Sequence, residues 1–190
     1  MKRGKSKVLI ISLAVVLATI CAGGSLAYFT AEKTAHNVIS SGSVEIEMYE
    51  WADEGKSEPF PEDGVSGVMP GASVTKIVEV KNTGTGEAWV RIKVTKEVKS
   101  EDGEDYSDTD NLITEDIDTE NWTLADGWYY YNKALEPGKT TEPLFTAVSF
   151  NEDMGNDFQS STITLDLEAQ AVQTANKGSS GTTATGWPAE

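Results

Sequence analysis

Beyond residue 41 the chain alternates. Val44, Ile46 and Met48 interleave with Glu45, Glu47 and Tyr49, and a period of two predicts a strand with one face buried. Trp51 to Gly67 is polar and carries Pro59, Pro61 and glycines, so it reads as a loop. Met69-Pro70-Gly71-Ala72 is a turn: proline presets φ and glycine supplies a positive one. A second strand follows with Val74, Ile77, Val78 and Val80 apolar; the pattern slips near Lys76, which predicts a bulge. Asn82-Thr83-Gly84-Thr85-Gly86 then reads as a hairpin connection. A third strand follows, Ala88 to Val98, with Val90, Ile92 and Val94 inward and Arg91, Lys93 and Thr95 outward. These last two strands are expected to pair as a hairpin.

Ser100 to Asn121, SEDGEDYSDTDNLITEDIDTEN, is acidic and reads as a solvated loop. Its oxygens invite calcium, but the spacing and glycine of an EF-hand loop are absent. Trp122 to Leu135 is aromatic. Asp126-Gly127 turns the chain, and a strand then places Trp128 and Tyr130 on one face, Tyr129 and Tyr131 on the other. Such a cluster is either a carbohydrate platform or cross-strand packing; packing is the expectation. Glu136-Pro137-Gly138-Lys139 repeats the proline-glycine turn, Leu144 to Phe150 is a strand, and Asn151 to Asp157 is a polar loop. Ser161 to Gln173 alternates most cleanly: Ile163, Leu165, Leu167, Ala169 and Ala171 against Thr164, Asp166, Glu168 and Gln170.

Many short strands with turn signals between them predict an all-β chain, a two-sheet antiparallel β-sandwich. It is preceded by a leader. MKRGKSK is cationic, Val8 to Cys21 is apolar, and Ser25-Leu26-Ala27 offers small residues at an exit site. That sequence of regions describes a cleaved signal peptide; the apolar run is short for a membrane span, which needs about 20 residues. The alternative is an uncleaved anchor. Cleavage between Ala27 and Tyr28 divides the chain into a signal peptide (1–27), an N-terminal arm (28–41), the sandwich (42–175) and a Gly/Ser/Thr-rich tail (176–190) expected to be disordered.

Charge and chemistry then narrow the function. Loss of Lys2, Arg3, Lys5 and Lys7 with the leader takes the formal charge from −16 to −20. So strong an anion is not a nucleic-acid binder. Cys21, the single cysteine, lies in the leader, and His36 is the single histidine. A zinc site needs several such ligands, and no Gly-x-Ser-x-Gly elbow or cysteine nucleophile is present. The residues therefore imply no catalytic set, no metal and no cofactor.

The chain resembles the TasA/camelysin family of secreted bacterial proteins. Ala27-Tyr28-Phe29-Thr30 looks like the cleavage region of SipW-type signal peptidase substrates. Asn37 to Ile46, NVISSGSVEI, looks like the family's N-terminal block. Pro70-Gly71 with Val78 to Gly84 resembles its P-G…V-x-N-x-G segment, and Phe158 to Ile163 with the strand to Ala171 resembles its last strand. The resemblance implies a jelly-roll-like sandwich, export to the extracellular matrix or cell surface, and polymerisation into biofilm-matrix fibres. It implies three partners: further copies of the chain, a SipW-type signal peptidase, and other matrix proteins. It also implies strand donation, in which the N-terminal arm of one subunit joins a sheet of the next; β-augmentation is the physics of that step. On this chain the arm residues are Tyr28, Phe29, Ala31, Ala35, Val38 and Ile39, of which Phe29, Ala31 and Ala35 share one strand face that Lys33 interrupts. Two other readings stay open: a camelysin-like cell-surface metallopeptidase, and a monomeric module that binds carbohydrate through Trp128 to Tyr131.

Overall fold

The fold is given by a computed structural model, which describes residues 30–32, 44–62, 64–65, 67–99, 105–106, 109–154, 161–175 and 178–188. Strands β1 (Thr30–Glu32), β2 (Ile46–Trp51), β3 (Ser73–Asn82) and β4 (Ala88–Lys99) come first. A four-residue helical turn, α1 (Thr109–Leu112), precedes β5 (Ile113–Glu115), β6 (Trp122–Ala125), β7 (Trp128–Tyr131), β8 (Phe145–Phe150) and β9 (Thr162–Gln173). They form two sheets, ordered β1-β9-β4-β7-β6 and β2-β3-β8-β5. The fold is the expected all-β, two-sheet sandwich. Every strand pair is antiparallel except β1 with β9. The runs 9-4-7 and 3-8-5 alternate between sheets as in a jelly roll, while β2 and β6 extend the two sheets as hairpin neighbours of β3 and β7.

The core lies between the sheets. Val78, Val80, Val90, Ile92, Ile113, Phe145, Ile163, Leu165, Leu167 and Ala169 meet there, with Trp122 and Tyr131 at one end. Period-2 alternation explains β9, whose inward residues Ile163, Leu165, Leu167 and Ala169 are buried while Thr164, Asp166 and Glu168 are half-buried. The slip near Lys76 is a real irregularity: the β3–β8 register shifts between Thr75 and Val78. Gly71 and Gly138 both have φ of 76°, and Ala72 N–H donates to Met69 O and Lys139 N–H to Glu136 O, so both proline-glycine turns form as expected. Asp126 (φ 50°) and Gly127 (φ 77°) close the β6–β7 hairpin with both central residues left-handed, which is the two-residue turn that matches strand twist.

Three expectations are corrected. First, β3 and β4 do not pair; they belong to different sheets. Their connection crosses the sandwich because its ends are already engaged. Asn82 exchanges backbone bonds with Lys139 and Gly138, and Ala88 with Leu135. The fully buried Asn82 side chain donates to Gly86 O and Leu135 O (both 2.8 Å) and accepts from Gly84 N (2.9 Å). β4 instead pairs with β9 over the whole span Ala88–Lys99.

Second, the acidic stretch is not solvated throughout. Residues 109–115 fold back as α1 and β5, and Ile113 is fully buried. The anchor is Lys96, on the inward face of β4. Its ammonium donates to Ile113 O (2.9 Å) and pairs with Glu115 (3.2 Å) and Asp110 (3.1 Å). Burial pushes the Glu115 carboxyl above its ordinary pKa, against the pull of Lys96.

Third, residues 178–188 of the tail expected to be disordered are packed on the outer face of the β4–β7–β9 sheet, as described below. Among the described residues no helix is long and apolar enough to cross a membrane; the apolar run Val8 to Cys21 lies outside them.

Candidate functional site

Two features of the five-stranded sheet stand out: one edge and one face. The edge belongs to β9. On one side β9 is paired with β4 from Thr162 to Gln173. On the other, its first three residues pair in parallel with β1: Thr30 with Thr162, Ala31 with Ile163, Glu32 with Thr164. From Leu165 to Val172 no second ladder joins this side among the described residues. An edge of this kind presents N–H and C=O groups in a row. Of the arm residues singled out, Ala31 is placed here, in β1; Tyr28, Phe29, Ala35, Val38 and Ile39 lie outside the described residues, as does the Ala27–Tyr28 junction.

The opposite sheet treats its edge differently. Along β2, the loop residue Pro59 bridges Trp51, with Phe60 N–H donating to Glu50 O and Ala52 N–H to Glu58 O. Proline on an edge blunts further pairing. The outer face beside it is ionic. Glu79 accepts from Trp51 Nε1 (3.0 Å) and pairs with Lys56. On the opposite, inward face of the same strands Lys76 pairs with Glu50, which shares its face with Val78, and the Lys76 ammonium lies 3.7 Å above the centre of the Phe60 ring.

The face of interest carries the aromatic cluster, which the structure splits in two. Inward, Trp122 and Tyr131 pack with ring centres 5.1 Å apart. Trp122 Nε1 donates to Glu142 O (3.1 Å), the Tyr131 hydroxyl donates to the Glu142 carboxylate, and Lys133 Nζ donates to the same group (2.9 Å). Burial and the carboxylate push the Tyr131 hydroxyl up to about 12. The Lys133 and Tyr131 hydrogen bonds hold Glu142 down at about 2.

Outward, Trp128 and Tyr130 flank Arg91, and all three are buried. The guanidinium carbon is 3.9 Å from the centre of Trp128 and 4.5 Å from that of Trp187. Arg91 donates from Nε (3.0 Å) and Nη2 (2.6 Å) to Gln170 Oε1 and from Nη1 to the Tyr130 hydroxyl (3.1 Å). Among the described residues no carboxylate pairs with it. A cation taken out of water needs compensation; here two indole faces and two neutral acceptors supply it. Trp187 also meets Tyr130 edge-on at 5.7 Å. Residues 178–188, the C-terminal strap, reach this position through a 3-10 turn, Gly181–Thr183, whose Gly181 would place a Cβ 3.4 Å from Tyr130.

Sequence reasoning assigned the two faces of β7 correctly and expected packing. It missed Trp187, whose surroundings are Gly/Ser/Thr-rich. A lone Trp-Pro pair in such a segment was the available signal. Trp128 is 2% exposed, so its ring offers no open face for stacking on a sugar in this conformation. Among the described residues no three His, Cys, Asp or Glu side chains converge as a metal site would require.

These features define the chain as an all-β, two-sheet sandwich, with one sheet edge half-paired among the described residues and one sheet face strapped over. Compared with known protein families and with curated proteins, the chain matches none.

Proposed function

We propose that this chain is an exported structural subunit that self-assembles into extracellular fibres by donation of its N-terminal arm. The observation that supports the reading is the edge of β9. Three arm residues, Thr30–Glu32, pair with it in parallel, and among the described residues that ladder covers only Thr162 to Thr164 while β9 runs on to Gln173. An extended segment supplied by a second copy satisfies such an edge by main-chain bonding. One copy offers the arm and the other the edge, so the contact is head-to-tail and propagates as a filament rather than closing as a dimer. Release of the leader after Ala27 by a signal peptidase of the SipW type frees the arm, which ties assembly to export.

The test is deletion of Tyr28 to Thr34 from the mature chain. The expected product keeps the β-sheet circular dichroism of the parent and stays monomeric in light scattering, with no filaments under the electron microscope. Filaments of normal length from the deletion variant exclude the arm as donor.

A further inference from the structure

The C-terminal strap is built as a separable part. Its seat is organised without it: Gln170 on β9 and Tyr130 on β7 fix the guanidinium of Arg91 on β4, and Trp128 closes one side. Trp89 and Val172, register partners on the same outer face, are also buried. The strap itself has little holding it. Residues 178, 179, 182, 183, 185 and 186 are exposed, and its large anchor, Trp187, is half-buried. It folds back on a hinge at Gly178, where φ is 116° and a Cβ would lie 2.6 Å from Thr183 O. A second glycine with positive φ, Gly186 (φ 80°), precedes the anchor. A preformed seat, a weakly held segment and a short connection turned at a glycine are the ingredients of element exchange between copies.

We propose that the strap is exchangeable: the Trp187 segment of one copy docks on the Arg91–Trp128–Tyr130 seat of a second copy. The proposal uses the far end of the chain from the N-terminal arm and stands independently of it. Chemistry selects the occupant. The seat presents one face of a guanidinium to an aromatic ring and offers Tyr130 for an edge-on contact, so it takes an indole on an extended, glycine-flanked segment. That segment is present in every copy. In a single chain the covalent tether favours the closed form, because a short connection gives an effective concentration on the order of millimolar. Exchange therefore shows itself where copies are crowded, as in an assembly, or where one copy's own strap is disabled.

Two variants separate the halves of the contact, both made in the chain that lacks Tyr28 to Thr34 so that arm-driven assembly is absent. Trp187→Ala keeps the seat and cripples the strap; Arg91→Ala keeps the strap and breaks the seat. Each is purified as a folded monomer, and the two are mixed in equal amounts at about millimolar concentration, the range that the tether supplies within one chain. Sedimentation equilibrium at that concentration is expected to show a one-to-one complex in the mixture and monomer for each variant alone. The complex disappears when the second partner also carries Trp187→Ala. If circular dichroism shows Arg91→Ala to be unfolded, Trp128→Ala serves as the seat-broken partner. A mixture of folded variants that sediments only as monomer overturns the proposal, and so does a complex that survives loss of both anchors.

Discussion

Both faces of β7 carry aromatic side chains, and they are covered in different ways. Inward, Tyr131 and its neighbour Trp122 are covered by the opposite sheet and latched by Glu142. Outward, Trp128 and Tyr130 are covered by a cation from β4 and an indole from the last residues of the chain. Burial of the inner face is inherent in the sandwich, since two sheets cannot pack without it. Burial of the outer face depends on one detachable segment. Equal burial in the folded state therefore hides unequal coupling to the fold.

The sharpest way to break this comparison is to remove an inner ring. Trp122→Ala is expected to cost about 3–5 kcal/mol, as deletion of a fully buried aromatic side chain does. Leu165→Ala, on the inward face of β9, follows at about 2–5 kcal/mol. By contrast Trp187→Ala removes one cation–aromatic partner at a half-exposed site and is expected to cost about 0.5–2 kcal/mol. Urea midpoints read all three. A loss for Trp187→Ala as large as that for Trp122→Ala makes the strap part of the main core and erases the distinction.

The inner latch also carries a pH signature. Glu142 has its pKa lowered to about 2 in the fold, so its contribution is fully present above its unfolded value of about 4.3 and is lost as pH falls toward 2. Tyr131 is raised to about 12, so its contribution is present below its unfolded value of about 10 and is lost as pH rises through 12. The stability of Glu142→Gln should accordingly fall less than that of the parent between pH 4.5 and pH 2. Parallel decline of the two in thermal melts contradicts the latch. The smallest expected effect is that of Thr164→Ala, on the half-buried outer face of β9, at under about 1 kcal/mol.

Alternation made faces legible and left partners illegible. It placed Val90, Ile92 and Val94 inward and Leu165 in the core, as found. It could not say that β4 would pair with β9 instead of β3, because every alternating strand offers the same backbone edge. The deciding residue, Asn82, acts through a buried amide that no periodicity reports. Lys96 occupies an inward position in an otherwise apolar series, and its reason is carboxylates brought in by the acidic stretch. The sequence pointed to the arm as a strand for another subunit and did not say which edge it would meet; in the structure one of those residues, Ala31, lies in parallel beside β9 of the same chain. The strap was hidden for a compositional reason: glycine, serine and threonine mark segments that cannot cover themselves, and here one tryptophan is enough to attach such a segment to a face prepared for it.

The parallel setting of β1 against β9 has a mechanical consequence. Parallel neighbours pulled from the start of one and the end of the other slide past each other lengthwise. Tension between the two ends of the chain would first peel the strap, whose large anchor is Trp187, and then reach β9. There the load falls across the β1 ladder at Thr162 to Thr164 as shear, shared among its bonds, instead of opening them one after another like a zip. A strand that joins the same edge in the same direction over a longer stretch, Leu165 to Val172, would raise the rupture force by adding bonds that must fail together.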